Sequence, residues 1–195
     1  MTATSTLSTA GPVTSHGDPF AMRSFRVRTR RQDTRDTVTL SLAPVDGAHL
    51  HFEPGQFTMV YAFGVGEVPL SISADPSAGR PLLHTIRDVG GVTHTLTGLR
   101  RGDVVGIRGP YGTGWGVSDG RGGDVVIVAG GIGLAPLRPA LLQVLANRDA
   151  YGRVVLLYGT RTPEDVLYAK ELERWRGRFD LEVDVTVDLS LIHIS

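Results

Sequence analysis

A glycine-rich turn lies in the second half of the chain, between an apolar run and a helical pattern. The run Asp124–Ala129 leads into Gly130, Gly131 and Gly133, and Pro136 follows three residues later. Glycines at such a turn let the backbone approach a pyrophosphate, and the helix that follows offers unpaired N–H groups. Pro136 suits a first helical turn, although it breaks the G-x-G-x-x-G spacing of dinucleotide sites. The pattern favours nucleotide binding, with a plain strand-to-helix turn as the alternative.

A second group of residues, in the first half, could hold a planar ring and a phosphate. Pro69 fixes the backbone of a predicted strand on which Ser71 could present its hydroxyl to a heterocycle. A Gly-x-x-Thr turn that ends at Thr93 could offer N–H groups and a hydroxyl to phosphates. Taken singly, each feature is also compatible with ordinary barrel structure.

Short strands must position the second group. Between Arg23 and Arg108, apolar and polar residues alternate in short runs that turn residues separate, which is typical of strands. The pattern predicts six strands at residues 25–30, 38–42, 56–63, 69–74, 82–88 and 103–108, and one short helix at residues 91–99. Six such strands indicate a small antiparallel β-barrel.

The pattern changes after Gly122. The continuous apolar run at residues 124–129 is typical of a strand that is buried on both faces. Further strands are predicted at residues 153–158 and 181–187, and helices at residues 136–147 and 163–175. This alternation predicts a parallel α/β sheet with helices on its faces. Three strands make only half of a dinucleotide-binding fold. Ligands bind to such sheets where the strand order reverses, so a sheet of three strands offers an incomplete cleft.

The predicted organisation is therefore a barrel followed by an α/β domain. Its parts are a disordered leader at residues 1–19, a barrel at 20–110, a linker at 111–123, an α/β domain at 124–188 and a tail at 189–195. The leader is rich in Ser, Thr, Gly and Pro and has no periodicity. The tail has no turn or cap signals and looks like translated read-through, so we expect a gene truncated at its C-terminal end.

Composition excludes several classes of function. Twenty basic and twenty acidic residues give a formal net charge of zero, which argues against a nucleic-acid-binding protein. The first residues show no signal-peptide pattern, and no run is long enough for a membrane span. The chain has no cysteine, so it holds no thiolate-bound metal, and its six histidines show no metal-ligand spacing. We expect a cytoplasmic protein without a metal site of its own.

In their order along the chain, these segments resemble the ferredoxin–NADP reductase superfamily of flavin reductases, over residues 25–188. The likeness is carried by residues 68–73 (VPLSIS), 106–112 (GIRGPYG), 129–138 (AGGIGLAPLR) and 157–167 (LYGTRTPEDVL). These stretches look like one branch, the gamma or diaphorase-type subunit of cytoplasmic nickel–iron hydrogenases and sulfhydrogenases. They are also similar to the electron-transfer subunit of dihydroorotate dehydrogenase.

The resemblance implies an FAD in the barrel and NAD(H) or NADP(H) in the second domain. The serine of the family pattern Arg-x-Tyr-Ser falls on Ser71, near the flavin N5, whereas Val68 and Leu70 replace its arginine and tyrosine. Arg87 then becomes the nearest candidate cation for the FAD pyrophosphate. The implied contacts are Pro69, Leu70, Ser71 and Ile72 at the flavin, Thr85, Ile86 and Arg87 along the ribityl chain, Val92 and Thr93 at the pyrophosphate, Gly130, Gly131, Gly133 and Pro136 at the pyridine nucleotide, and Tyr158, Gly159 and Arg161 at its adenosine half.

The implied function is an electron-transfer subunit that connects NAD(P)H with an iron–sulfur or hydrogenase-type partner. The flavin does the chemistry and the protein aligns it, so no catalytic acid or base is expected. Members of this branch carry cysteines for a [2Fe–2S] centre near the C-terminus, which we expect in a missing C-terminal part. Alternatives are a free-standing flavin or ferredoxin reductase, the dihydroorotate dehydrogenase electron-transfer subunit, and a non-catalytic FAD-binding module. We also expect this chain to retain flavin better than nucleotide.

Overall fold

The computed structural model describes residues 20–77 and 81–188, which form two sheets. The predicted leader and tail lie outside the described residues. The first sheet consists of β1 (Arg23–Gln32), β2 (Thr37–Pro44), β3 (Phe57–Ala62), β4 (Gly66–Ser71), β5 (Leu82–Arg87) and β6 (Val104–Tyr111). Its strands are antiparallel in the order β4-β3-β6-β1-β2-β5. The prediction of a six-stranded antiparallel barrel is confirmed.

Alternation along the strands fills the interior of this barrel. On β1, Phe25 and Val27 are buried while the arginines between and after them are exposed. A bulge after Val27 interrupts the alternation, which leaves Thr29 exposed. The edge strands β4 and β5 approach each other, and just beyond β4 the Ser73 N–H donates to the Leu83 carbonyl at 2.9 Å. Helix α1 (Gly91–Thr97) adds the fully buried Leu96 to the same core.

The second sheet is parallel and carries helices, as predicted. Its strands β7 (Val125–Gly130), β8 (Val154–Thr160) and β9 (Glu182–Val187) pair in chain order. Helices α2 (Leu134–Ala146) and α3 (Ala169–Arg176) connect them and pack on one shared core. None of the helices among the described residues is both long and apolar enough to span a membrane.

Two details of the α/β prediction are wrong. The helix predicted at residues 163–175 is a single turn at Pro163–Asp165 followed by α3, which begins only at Ala169. The break lies at Tyr168, whose φ of 53° is left-handed and stops a helix from running through it. Helical periodicity counts apolar positions and does not reveal such a turn.

The prediction that β7 is buried on both faces is also wrong. Val126 is 61% exposed, Val128 is 67% exposed and the neighbouring Leu157 is 38% exposed. Both crossovers step in the same direction across the sheet, and right-handed crossovers then place both helices on the same face. No element of the described residues covers the other face.

Candidate functional site

A cleft of about 480 Å³ lies between the two sheets. Its lining combines barrel residues with residues at the C-terminal ends of all three parallel strands. The barrel contributes Thr34, Asp36, Thr37 and Arg87, and the α/β part contributes Gly130, Gly131, Ile132, Gly159, Thr160, Arg161, Asp165, Leu167 and Asp188. Open α/β sheets bind ligands beyond the carboxyl ends of their strands. The cleft is therefore at the edge of the sheet where a ligand is expected.

The glycine turn forms one rim of this cleft. Gly131 has φ +51°, and a Cβ added at Gly130, Gly131 or Gly133 would meet no atom within 4 Å. The backbone of the turn consequently faces open space and is accessible to a large anion. Gly130 and Gly131 line the cleft, while Gly133 precedes α2 and Pro136 is the third residue of that helix.

Tyr158 supports the glycine turn from below. Its ring is buried, its hydroxyl donates to the Gly131 carbonyl at 3.1 Å, and it accepts the Leu167 N–H at 3.2 Å. Burial raises the pKa of Tyr158 to about 12, so its proton stays available for the bond to Gly131. Tyr158 thus ties two segments of the cleft wall together, while Gly159 and Arg161 face the cleft itself.

The barrel wall of the cleft carries an ion pair. The Arg87 Nε donates to Asp36 Oδ2 at 2.6 Å, and the hydroxyls of Thr34 and Thr37 donate to Asp36 Oδ1 at 3.0 and 2.9 Å. Partial burial acts to raise the pKa of Asp36, but the hydrogen bonds from Arg87, Thr37 and Thr34 lower it overall. Arg87, the candidate cation for a pyrophosphate, is therefore held in place by a carboxylate.

The residues predicted along the flavin occupy two environments. Pro69 and Ser71 are exposed on the outer face of β4, while Val68 and Leu70 pack partly against the barrel core. The side chain of Ile72 is fully inside that core. Ile72 can therefore meet a ligand only through its backbone.

The remaining predicted flavin residues are largely engaged within the barrel. Ile86 is a core residue, and Val92 packs partly against the core. The Thr93 hydroxyl accepts the N–H groups of Val89 and Gly90 at 3.0 and 2.9 Å and donates to the Gly90 carbonyl at 2.9 Å. That hydroxyl closes the turn before α1. The buried hydroxyl of Thr85 contacts Tyr168 of the α/β part at 2.6 Å.

One buried histidine supports Ser71 and was not identified from the sequence as part of the site. The His84 Nδ1 lies 3.0 Å from the Ser71 carbonyl oxygen, and its Nε2 lies 3.1 Å from the Thr58 hydroxyl. A carbonyl only accepts, so Nδ1 carries the proton and Nε2 accepts from Thr58. Burial lowers the pKa of His84 to about 4, and the ring is neutral at pH 7.

The structure brings five of the predicted residues together in the cleft: Arg87, Gly130, Gly131, Gly159 and Arg161. The sequence reasoning missed the loop between β1 and β2, which supplies Thr34 and Asp36. Its polar residues look like an ordinary turn, and only the packing of the two sheets places them opposite the glycine turn. Among the described residues, no group of three or more His, Cys, Asp or Glu side chains could hold a metal ion.

Comparison with known proteins agrees with this geometry. Residues 127–188, which include most of β7, the glycine turn, β8 and β9, match the oxidoreductase NAD-binding domain family. A barrel precedes that domain, as in the reductase structures described below. The chain carries a ferredoxin–NADP reductase-like NAD-binding domain.

Two curated relatives of this chain are subunits of larger enzymes. Sulfhydrogenase 1 subunit gamma of Pyrococcus furiosus is 40% identical over 131 residues, which is 67% of this chain and 45% of the relative. A probable dihydroorotate dehydrogenase B (NAD(+)) electron transfer subunit of Methanopyrus kandleri is 41% identical over 169 residues, 82% of this chain and 62% of the relative. The chain spans about half the length of the curated relatives it matches.

A solved structure shares the fold of this chain. Phthalate dioxygenase reductase, described as a modular structure for electron transfer from pyridine nucleotides to [2Fe-2S], matches with a TM-score of 0.73 at 22% identity. The match covers 84% of this chain and 51% of that reductase. The two-sheet arrangement of barrel and α/β domain is therefore the fold of these reductases.

Proposed function

We propose that this chain is the FAD-dependent electron-transfer part of an oxidoreductase, passing electrons between NAD(P)H and an iron–sulfur or hydrogenase-type partner. The observation that carries the proposal is the cleft in which the glycine turn of an NAD-binding domain faces the barrel. The match to a sulfhydrogenase gamma subunit supports the partner. In this proposal residues 20–110 are the FAD-binding barrel, 111–123 the linker and 124–188 the NAD(P)-binding domain.

The α/β wall of the cleft fits a dinucleotide. The backbone at Gly130 and Gly131 is open to a pyrophosphate because neither position carries a side chain. Arg161 and Gly159 lie at the end of the next strand, where the adenosine half would extend. Tyr158 would keep the turn in its binding shape through its bond to the Gly131 carbonyl.

The barrel wall fits a flavin through contacts that differ from those of the family pattern. Ser71 and Pro69 are exposed on the outer face of β4 and would contact the ring system. Leu70 is partly buried, so only the accessible part of its side chain would contact the ring system. Arg87 would balance the pyrophosphate charge while paired to Asp36. Val92 and the turn closed by Thr93 would approach the pyrophosphate through their backbone.

The chemistry in this proposal divides between cofactor and protein. When bound, FAD would accept a hydride from the nicotinamide as an electron pair and release the electrons singly to an iron–sulfur acceptor. The chain's own residues bind and orient: His84 holds the Ser71 carbonyl, and the cleft walls set how the two rings approach each other. A [2Fe–2S] centre would need cysteines from outside these 195 residues, since they contain none. A cytoplasmic location is likewise proposed from the resemblance.

A second candidate is the electron-transfer subunit of dihydroorotate dehydrogenase. The match to the Methanopyrus kandleri protein favours it, because that match covers 82% of this chain. Both candidates use the same cleft and differ only in the partner with which the flavin exchanges electrons. Copurification of the protein from its native cells with hydrogenase subunits or with a dihydroorotate-oxidising subunit would separate them.

The deciding experiment uses the 195-residue chain with added FAD. We expect a yellow protein whose flavin absorbance is bleached anaerobically by NADH or NADPH, with the electrons passed on to ferricyanide or viologen. Size-exclusion chromatography should show that the chain retains flavin better than nucleotide. A stable flavin complex that neither nucleotide reduces would favour a non-catalytic FAD-binding module and contradict the proposal.

A further inference from the structure

The two sheets are joined by a buried polar contact between hydroxyl groups. The hydroxyl of Tyr168, from the α/β part, lies 2.6 Å from the hydroxyl of Thr85 on β5. Thr85 in turn contacts the hydroxyls of Thr39 at 2.8 Å and Ser73 at 3.1 Å. Tyr168 is only 5% exposed. A tyrosine from one unit therefore completes a hydroxyl cluster inside the other.

Charged side chains hold the Tyr168 ring from both units. The Arg31 guanidinium of the barrel lies 5.5 Å from the ring centroid and that of Arg138 on α2 lies 5.4 Å away. Arg138 forms a two-pronged ion pair with Glu171, at 2.7 and 2.9 Å, and also donates to the Ser73 carbonyl. Arg138 and Glu171 are 14% and 13% exposed, so water screens this pair little. We call Tyr168, Arg31, Arg138 and Glu171 together the latch.

Tyr168 is also the only non-glycine residue with positive φ in the described chain. The left-handed region is unfavourable for a residue that carries a Cβ, as tyrosine does. The Tyr168 ring packs in the buried α/β core, and its hydroxyl reaches Thr85 of the barrel. The fold therefore maintains an unfavourable backbone conformation at the residue that forms the contact between the units.

The latch lies directly behind the cleft walls. Leu167, which lines the cleft, is the neighbour of Tyr168, and Arg87, on the barrel wall, is two residues from Thr85. Arg31 is three residues before Thr34, another lining residue. We therefore expect a change at the Tyr168–Thr85 contact to move one wall of the cleft relative to the other.

We propose that Tyr168 is a positioning residue, which sets the separation of the two cleft walls through its hydrogen bond to Thr85. The proposal rests on the proposed function, since the walls are taken to hold flavin and nicotinamide. Hydride transfer needs the reacting atoms in near contact, so a small displacement slows it without weakening the binding of either cofactor. That split between rate and affinity distinguishes positioning from simple stabilisation.

The test compares Tyr168→Phe with Tyr151→Phe in the full chain. Tyr168→Phe keeps the ring and its cation contacts and removes only the hydroxyl. Tyr151 is a matched control because it is equally buried and its hydroxyl donates to the Val117 carbonyl at 3.1 Å, away from the barrel. The chain has no cysteine, so spin labels attach cleanly at Val45→Cys in the barrel and Phe179→Cys in the α/β part, both exposed.

Two measurements are made on each variant. Without cofactors, pulsed electron resonance gives the distance distribution between the labels, which we expect to be narrow in the parent and in Tyr151→Phe and broadened in Tyr168→Phe. With FAD, we expect Tyr168→Phe to slow flavin reduction by NADH about threefold to tenfold, as for the loss of one hydrogen bond, with the FAD dissociation constant within twofold. Thr85→Val should broaden the distance distribution to the same extent, and the double variant should broaden it no further.

The outcomes separate the two proposals. A distance distribution that is broadened in Tyr168→Phe, together with no flavin reduction in the unsubstituted chain, would support the positioning role of Tyr168 and refute the proposed function. An unchanged distance distribution in Tyr168→Phe, or equal broadening in Tyr151→Phe, would refute the positioning role of Tyr168 whatever the reduction rates are.

Discussion

Because His84 is buried, we expect the free energy of unfolding to fall as the pH drops below neutral. The ring is fully buried, and burial lowers its pKa from 6.5 to about 4. Between these values the unfolded chain binds a proton that the folded chain excludes, so the free energy of unfolding falls as the pH falls. The two pKa values predict a loss of about 2 kcal/mol between pH 7.5 and pH 5, and about 3 kcal/mol by pH 4.

The assay is urea unfolding of the parent chain and of His84→Asn at several pH values from 7.5 to 5. Asparagine does not titrate, and its amide can donate to the Ser71 carbonyl as the His84 Nδ1 does. The variant has a smaller side chain and should lose stability equally at every pH. Other titrating groups are common to both chains, so the difference between the two slopes isolates His84. Parallel stability curves over this range would refute the reasoning.

Three further changes test the site and the open sheet face. Arg87→Gln should weaken FAD binding roughly tenfold, because a charge-assisted contact is lost. It should also raise the pKa of Asp36, which an NMR titration would measure. Unchanged FAD affinity would show that Arg87 is not part of the site. Tyr158→Phe loses both hydrogen bonds behind the cleft and should lower the free energy of unfolding by about 1–3 kcal/mol, measured by urea unfolding; a value near zero would contradict that support. Val126→Thr with Val128→Thr should leave the melting temperature nearly unchanged and reduce self-association in light scattering, and a large loss of stability would show that this face is covered.

Much of the candidate site could be located from the sequence because its strongest signal is local. The glycine turn between an apolar strand and a helix is a contiguous pattern in the sequence. Gly130, Gly131, Gly159 and Arg161 all line the cleft. The flavin side was harder. A motif locates a residue in the chain but not the direction of its side chain, so Ile72 and Ile86, which follow the expected order, point into the core.

The sequence by itself determined the two kinds of sheet, because period-two alternation and a strand–helix alternation each follow from the local geometry of the backbone. Tertiary structure alone decided which residues meet across the units. Thr34 and Asp36 face the glycine turn, and Tyr168 reaches Thr85 across 83 positions, through packing that no local pattern encodes. It also decided that one face of the parallel sheet stays open at Val128, because the handedness of the crossovers, and not the apolar content of β7, places the helices.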